Sequence, residues 1–217
     1  MDLPALFAQC RAEAEFYRVQ IDAENRLAPA EIVALAAQAD QLPEMARAWL
    51  KKTGAMLRRA GEETQPFRRH PLAEHATFYE GTAGAKRMLV VGFCGIAMRM
   101  NLPAPAFLQA LPAARCDVVI LADPARAAFL GGVKGYAPSL PALVERLAKD
   151  APATRYPGGI RCIGTSAGGA ASLCFGLLAG ARRAISVDGA HPAAMMLRDV
   201  PDLDRAVQAV AQNNQLT

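Results

Sequence analysis

Gly164-Thr165-Ser166-Ala167-Gly168-Gly169 is the stretch on which the reading of this chain turns. It fits G-x-S-x-G and lies between an apolar run, Ile160-Arg161-Cys162-Ile163, and a small-residue run from Ala170 to Leu178. The first reads as the end of a buried strand, the second as a helix rich in Ala and Leu. A serine on such a strand-to-helix turn is forced into a tight backbone conformation that lifts its hydroxyl above the sheet edge. Flanking glycines leave room for the turn and for close helix–strand packing, and the next amides along the chain can stabilise an oxyanion. Two readings fit the hexapeptide: a nucleophile elbow, or a Gly-rich turn whose serine caps the helix. The strand and helix on either side favour the elbow.

Outward from that turn, short apolar runs alternate with helical stretches, the pattern of a parallel sheet with crossover helices. Thr77-Phe78-Tyr79 reads as a short strand, residues 87–93 as the next and 117–122 as another. Pro105 to Leu111 reads as a short helix. Ser139 reads as the cap of a longer one, with Leu140, Leu143, Val144 and Leu147 on one face. The glycine-containing loop from Gly131-Gly132 to Pro138 is expected to wall a pocket.

In this order the pieces resemble the front two-thirds of an α/β-hydrolase, from about Thr77 to Pro192. Met88-Leu89-Val90-Val91-Gly92-Phe93-Cys94-Gly95 is similar to that family's third strand and oxyanion loop, with Cys94-Gly95 where many members carry His-Gly. Cys116 to Pro124 resembles the fourth strand and its exit, Ile160 to Gly169 the fifth with its elbow, and Ala184-Ile185-Ser186-Val187-Asp188 the sixth. The resemblance implies an α/β fold: a mainly parallel sheet with helices on both faces, shortened at its carboxyl end and preceded by a helical segment. It also implies a serine esterase or thioesterase, with Ser166 as nucleophile and the amides of Ala167 and Ile96 as the oxyanion hole.

Serine needs a base to take its proton, usually a histidine held by a carboxylate. The three histidines are His70, His75 and His191. The family order is Ser, acid, His, with the histidine after the eighth strand. Only 25 residues come after Pro192, and Asp199 to Gln212 reads as a helix, so that position is absent. The sixth strand leads instead into Asp188-Gly189-Ala190-His191-Pro192. Strands five and six are neighbours in the family's sheet, so Asp188 and His191 are expected on the edge that carries Ser166. His191 is the candidate base, oriented by Asp188; its other reading is a turn histidine before a proline. No other histidine is expected on that edge, since His70 and His75 reach it only if their segment folds over the site. Gly-Thr-Ser-Ala-Gly-Gly and Asp188-Gly189-Ala190 also resemble patatin-type phospholipase motifs. The glycine-rich oxyanion motif of that family is missing upstream, and 22 positions between Ser166 and Asp188 are far fewer than it uses.

Composition permits a globular enzyme: 53% of residues are hydrophobic and 20% charged, unlike a disordered chain. Residues 1–75 carry ten Lys/Arg against eleven Asp/Glu, and residues 76–217 fourteen against nine, making the second part mildly basic. That suits an anionic substrate and falls short of a nucleic-acid footprint. Arg68-Arg69 and Arg182-Arg183 read as solvated loop or helix ends. Five cysteines without a CxxC pattern read as reduced core thiols, and no signal peptide or membrane span is apparent, so a cytoplasmic location is expected. No metal or organic cofactor motif is present, and none is expected.

Residues 1–65 are expected to form a helical segment and 76–217 the hydrolase-like domain, with Glu62 to Pro71 as a polar boundary. Leu3, Phe7, Cys10, Ala14, Tyr17 and Ile21 form one helical stripe. Ala28-Pro29-Ala30-Glu31 opens a second helix, with Ile32, Leu35, Ala36 and Ala39 on one side. Asp40 reads as the cap of a third, along Leu42, Met45, Trp49, Thr53, Met56 and Ala60. These helices cap the sheet, cover the pocket as a lid, or receive a protein partner. Two functions are in keeping with this: hydrolysis of a small or acylated ester, or a catalytically weak hydrolase-like scaffold for protein interaction or assembly.

Overall fold

Capping chemistry sets the amino-terminal helices. The computed structural model describes residues 2–61, 63–82 and 87–189. The Asp2 carboxylate accepts the Ala5 amide at 3.1 Å and opens α1 (Leu3–Gln9). The expected single helix is broken at residues 10–12 before α2 (Glu13–Arg26). There the Glu15 carboxylate accepts the amides of Arg11 and Ala12 at 2.7 and 3.3 Å, holding Ala12 extended where a continued helix needs it coiled. The break folds Phe7 onto Phe16, with ring centroids 5.2 Å apart, and onto Trp49.

Pro29 opens α3 (Pro29–Ala36) as expected, with the Glu31 carboxylate accepting the Ala28 amide. The reading of Asp40 as a helix cap is corrected. Asp40 lies in a 3₁₀ turn, and α4 (Glu44–Ala60) starts after Pro43, whose ring holds Leu42 extended. The buried stripe of α4 is therefore Ala46, Trp49, Leu50, Thr53 and Leu57, and Met45 faces outward.

Among the described residues six strands come next, interleaved with three helices: β1 (Arg68–Ala73), β2 (Ala76–Glu80), β3 (Met88–Phe93), α5 (Ala104–Gln109), β4 (Cys116–Leu121), α6 (Leu140–Asp150), β5 (Ile160–Thr165), α7 (Ala167–Leu178) and β6 (Arg183–Val187). They form one sheet in the order β1-β2-β4-β3-β5-β6. β4, β3, β5 and β6 are parallel, whereas β2 runs antiparallel to β4, and β1 to β2. β3 and β5 are parallel neighbours, with Val91 opposite Cys162. The boundary is corrected too: Arg68-Arg69-His70-Pro71 belong to the edge strand β1, where a proline is tolerated. Nor do Arg68 and Arg69 lie in a loop; Arg68 pairs with Glu80 on β2, and Arg69 with Glu31 on α3.

Strand residues alternate between two cores. Leu89, Val91 and Phe93 of β3, with Val119 and Leu121 of β4, join α6 and α7 residues such as Leu143, Leu147 and Phe175. Val90, Val118 and Ile120 join Ala104 and Leu108 of α5 instead. Burial on both faces explains why these strands read as near-continuous apolar runs. Leu3, Phe7, Phe16, Trp49 and Leu57 of the amino-terminal helices form a third core that closes on Ala106 of α5. The architecture is thus α/β, a mainly parallel sheet with helices on both faces, preceded by a helical segment. The loop at 131–138 is corrected from pocket wall to core: Val133, Tyr136 and Ala137 are buried against α6.

Candidate functional site

In a sheet of this kind, ligands bind beyond the carboxyl ends of the strands, where successive connections diverge to opposite sides. Here that place lies between β3 and β5: the chain leaves β3 for β4 on one side, then returns across it to β5. The backbone singles out the same edge. Seven non-glycine residues have positive φ among the described residues: Met98, Asn101, Arg126, Ala128, Phe129, Ser166 and Asp188. All lie in segments leaving the carboxyl ends of β3, β4, β5 and β6. Such conformations cost about 1–3 kcal/mol each and gather where geometry is held for function.

Ser166 joins β5 to α7 with φ 50° and ψ −121°. Its amide donates to the Val187 carbonyl at 2.9 Å, so its backbone still belongs to the β5–β6 ladder. Its side chain is exposed and makes no capping bond to α7. Glycine is required around it: a Cβ on Gly164 would overlap the Gly168 carbonyl, and one on Gly168 the carbonyls of Phe93 and Cys94. The missing atoms bring α7 down onto the end of β3.

The β3 exit loop lies against this turn. A Cβ on Gly95 would stand 3.3 Å from that of Ser166. Gly95, Ile96 and Ala167 share one recess with Cys94, Asp123 and Arg126, too tight in this conformation for a water-sized sphere. Among the described residues, the amides of Ile96 and Ala167 donate no hydrogen bond. Arg99 pins the loop through its carbonyl, which accepts the Gly95 amide at 3.0 Å and the Thr165 hydroxyl at 3.3 Å. Arg99 is paired in turn with Glu24 of α2 at 3.3 Å, and Glu24 accepts the Trp49 indole N–H at 2.9 Å. Sequence reading missed this link because its members are 75 and 25 positions apart and match no local pattern.

Asp188, exposed at φ 53°, comes directly after β6 at the register position beside Ser166. His191 lies outside the described residues. His75 corrects the expectation that no other histidine lies on this edge: because β2 is antiparallel to β4, the β1–β2 turn falls there, and the His75 carbonyl accepts the Ala122 amide at 2.9 Å. Three strand spacings, roughly 14 Å, separate that position from Ser166. His70 sits on β1 against Glu80. Burial pushes the Cys94 thiol up to about 12, so it stays protonated beside the recess. Among the described residues no cluster of three His, Cys, Asp or Glu could hold a metal ion, and no helix is long and apolar enough to cross a membrane.

No family model and no curated protein matches the chain. Among solved structures, it is similar to EstE1, described as a thermophilic and thermostable carboxylesterase cloned from a metagenomic library. Identity is 16% over 70% of this chain and 50% of that one, with a TM-score of 0.36. It is also similar to the esterase Est22, at 17% identity over 70% and 50% of the two chains and a TM-score of 0.33. The chain spans about half the length of both.

Proposed function

We propose that this protein is a serine hydrolase acting on esters or thioesters, with Ser166 on a nucleophile elbow. The observation that carries this reading is the backbone of Ser166. A capping serine takes an extended backbone and accepts a helix amide through its Oγ. Ser166 has φ 50° and makes no such bond. Its oxygen is exposed, beside two amides that have no partner among the described residues.

In the reaction, Oγ attacks the acyl carbonyl as the base removes its proton. The resulting oxyanion accepts the amides of Ala167 and Ile96 once substrate opens the recess. Collapse expels the alcohol or thiol, which takes the proton from the base, and water repeats the sequence to release the acid. We assign the base to His191, oriented by Asp188. Asp188 adjoins Val187, whose carbonyl holds the Ser166 amide, whereas His75 is too far across the sheet.

A fluorophosphonate probe tests the reading without knowledge of the substrate. Wild-type protein should label, and Ser166→Ala should remove labelling while leaving the melting temperature unchanged. His191→Ala should slow labelling by about 10²–10⁴-fold, the usual contribution of a general base. Wild-type protein that does not label would leave the scaffold reading, with the amino-terminal helices as an interaction surface.

A further inference from the structure

A cavity of about 430 Å³ lies between α2 and the edge formed by the carboxyl end of β4 and the amino end of β2. Its floor is apolar, formed by Ile96, Ile120 and Ala122. Arg26 on its rim pairs with Asp22 at 2.7 Å, whereas Glu74 faces only His75 among the described residues, at 3.6 Å, which compensates it only when protonated. Arg18, from α2, and Arg126, from the β4 exit loop, complete the rim. Neither forms an ion pair among the described residues. The cavity therefore presents two guanidinium groups without an ion-pair partner among the described residues, against the single carboxylate of Glu74, over an apolar floor.

The backbone that carries Arg126 is held in place. The Asp123 carboxylate accepts the amides of Ala125, Ala127 and Phe129 at 3.0, 2.8 and 2.9 Å. Three amides on one carboxylate tie down a loop in which Arg126, Ala128 and Phe129 all have positive φ. The position so fixed is shared: Arg126 and Ile96 line both this cavity and the recess beside Ser166. The cavity opens next to the reacting carbonyl's expected place. The Asn25 amide also lines the wall, its Oδ1 buried and unpaired among the described residues.

We propose that this cavity is an anion-binding subsite, in which Arg126 and Arg18 receive a carboxylate borne by the substrate several atoms from its scissile carbonyl. The apolar floor takes the intervening methylenes. The Arg126 loop lies two strand spacings from Ser166, roughly 10 Å, which a six-carbon diacid and an arginine side chain together span. The word substrate rests on the hydrolase reading; the anion preference does not.

Binding to the 217-residue Ser166→Ala protein at low ionic strength tests this without turnover. Monomethyl adipate and dimethyl adipate have the same length and differ in one charge. The monoester should bind about tenfold more tightly, two exposed guanidinium groups each supplying part of that factor. Arg126→Gln and Arg18→Gln should each reduce the preference, and Arg126→Lys should retain most of it. If Arg126→Gln fails to fold, Arg18→Gln decides, because Arg18 lies on an exposed helix face. Equal binding of the two esters, no binding of the monoester, or a preference unchanged in the folded glutamine variants would overturn the subsite. The two readings fail separately. An anion preference in a wild-type protein that does not label removes the hydrolase and keeps the subsite. Labelling without a preference does the reverse.

Discussion

Ser166 owes its backbone to what its neighbours lack. Gly164 and Gly168 are in contact with main-chain atoms of α7 and β3, so an added methyl group has only rigid carbonyls to push against. Gly168→Ala should lower stability by about 1–3 kcal/mol or more, the cost of overpacking. It should also abolish probe labelling, because Phe93 and Cys94 lead directly into the β3 exit loop. Thermal melts and labelling of the folded fraction check both effects. The cysteines behave differently. Cys94, Cys116, Cys162 and Cys174 are buried, and only Cys10 is partly exposed. Ellman's reagent should therefore find one fast thiol in the native protein and five after denaturation. The glycines, the serine and the thiols were legible as residue types at fixed spacing. The sign of φ at Ser166 was legible only as what the motif demands.

At the scale of elements, the β3 exit loop is held by groups that no local pattern connects. Glu24 on α2 is buried, accepts the indole of the chain's only tryptophan and pairs with Arg99. Removing it leaves the Trp49 N–H and the Arg99 guanidinium without their acceptor. Glu24→Ala should cost about 1–3 kcal/mol, the penalty for an unpaired buried polar group. It should also shift Trp49 emission and slow labelling at Ser166 by loosening the loop that carries Ile96. A melt, a fluorescence spectrum and a labelling time course separate these effects. The parallel strands and the α6 face were readable from hydrophobic period and from the Ser139 cap, whose Oγ accepts the Ala142 amide. The helix boundaries were not. Glu15 satisfies amides that would otherwise continue α1 into α2, and Pro43 displaces the start of α4. In both cases one side chain outweighs an apolar stripe that looks continuous.

Over the whole molecule, burial ties stability to alkaline pH. Burial raises the thiols of Cys94 and Cys162 to about 12 and those of Cys116 and Cys174 to about 11, from an ordinary value near 9. The folded state holds these protons more tightly than the unfolded chain. Their contribution is therefore complete below about pH 9 and is lost as pH rises through the folded values. The melting temperature should be level up to about pH 8 and fall steeply between 9 and 12. Replacing Cys162 by Ala should soften that fall, as circular dichroism melts would show. The order of strands and helices from β2 onward, the G-x-S-x-G turn and the mainly parallel sheet are written in the sequence alone, because each depends on residues within one or two turns of chain. Which loops meet at the carboxyl edge is settled only in three dimensions. An antiparallel β2 puts His75 there, the β4 exit places Arg126 between recess and cavity, and helix packing draws Glu24 under the β3 loop. Those pairings depend on strand direction and helix packing, which bring together residues far apart in the chain.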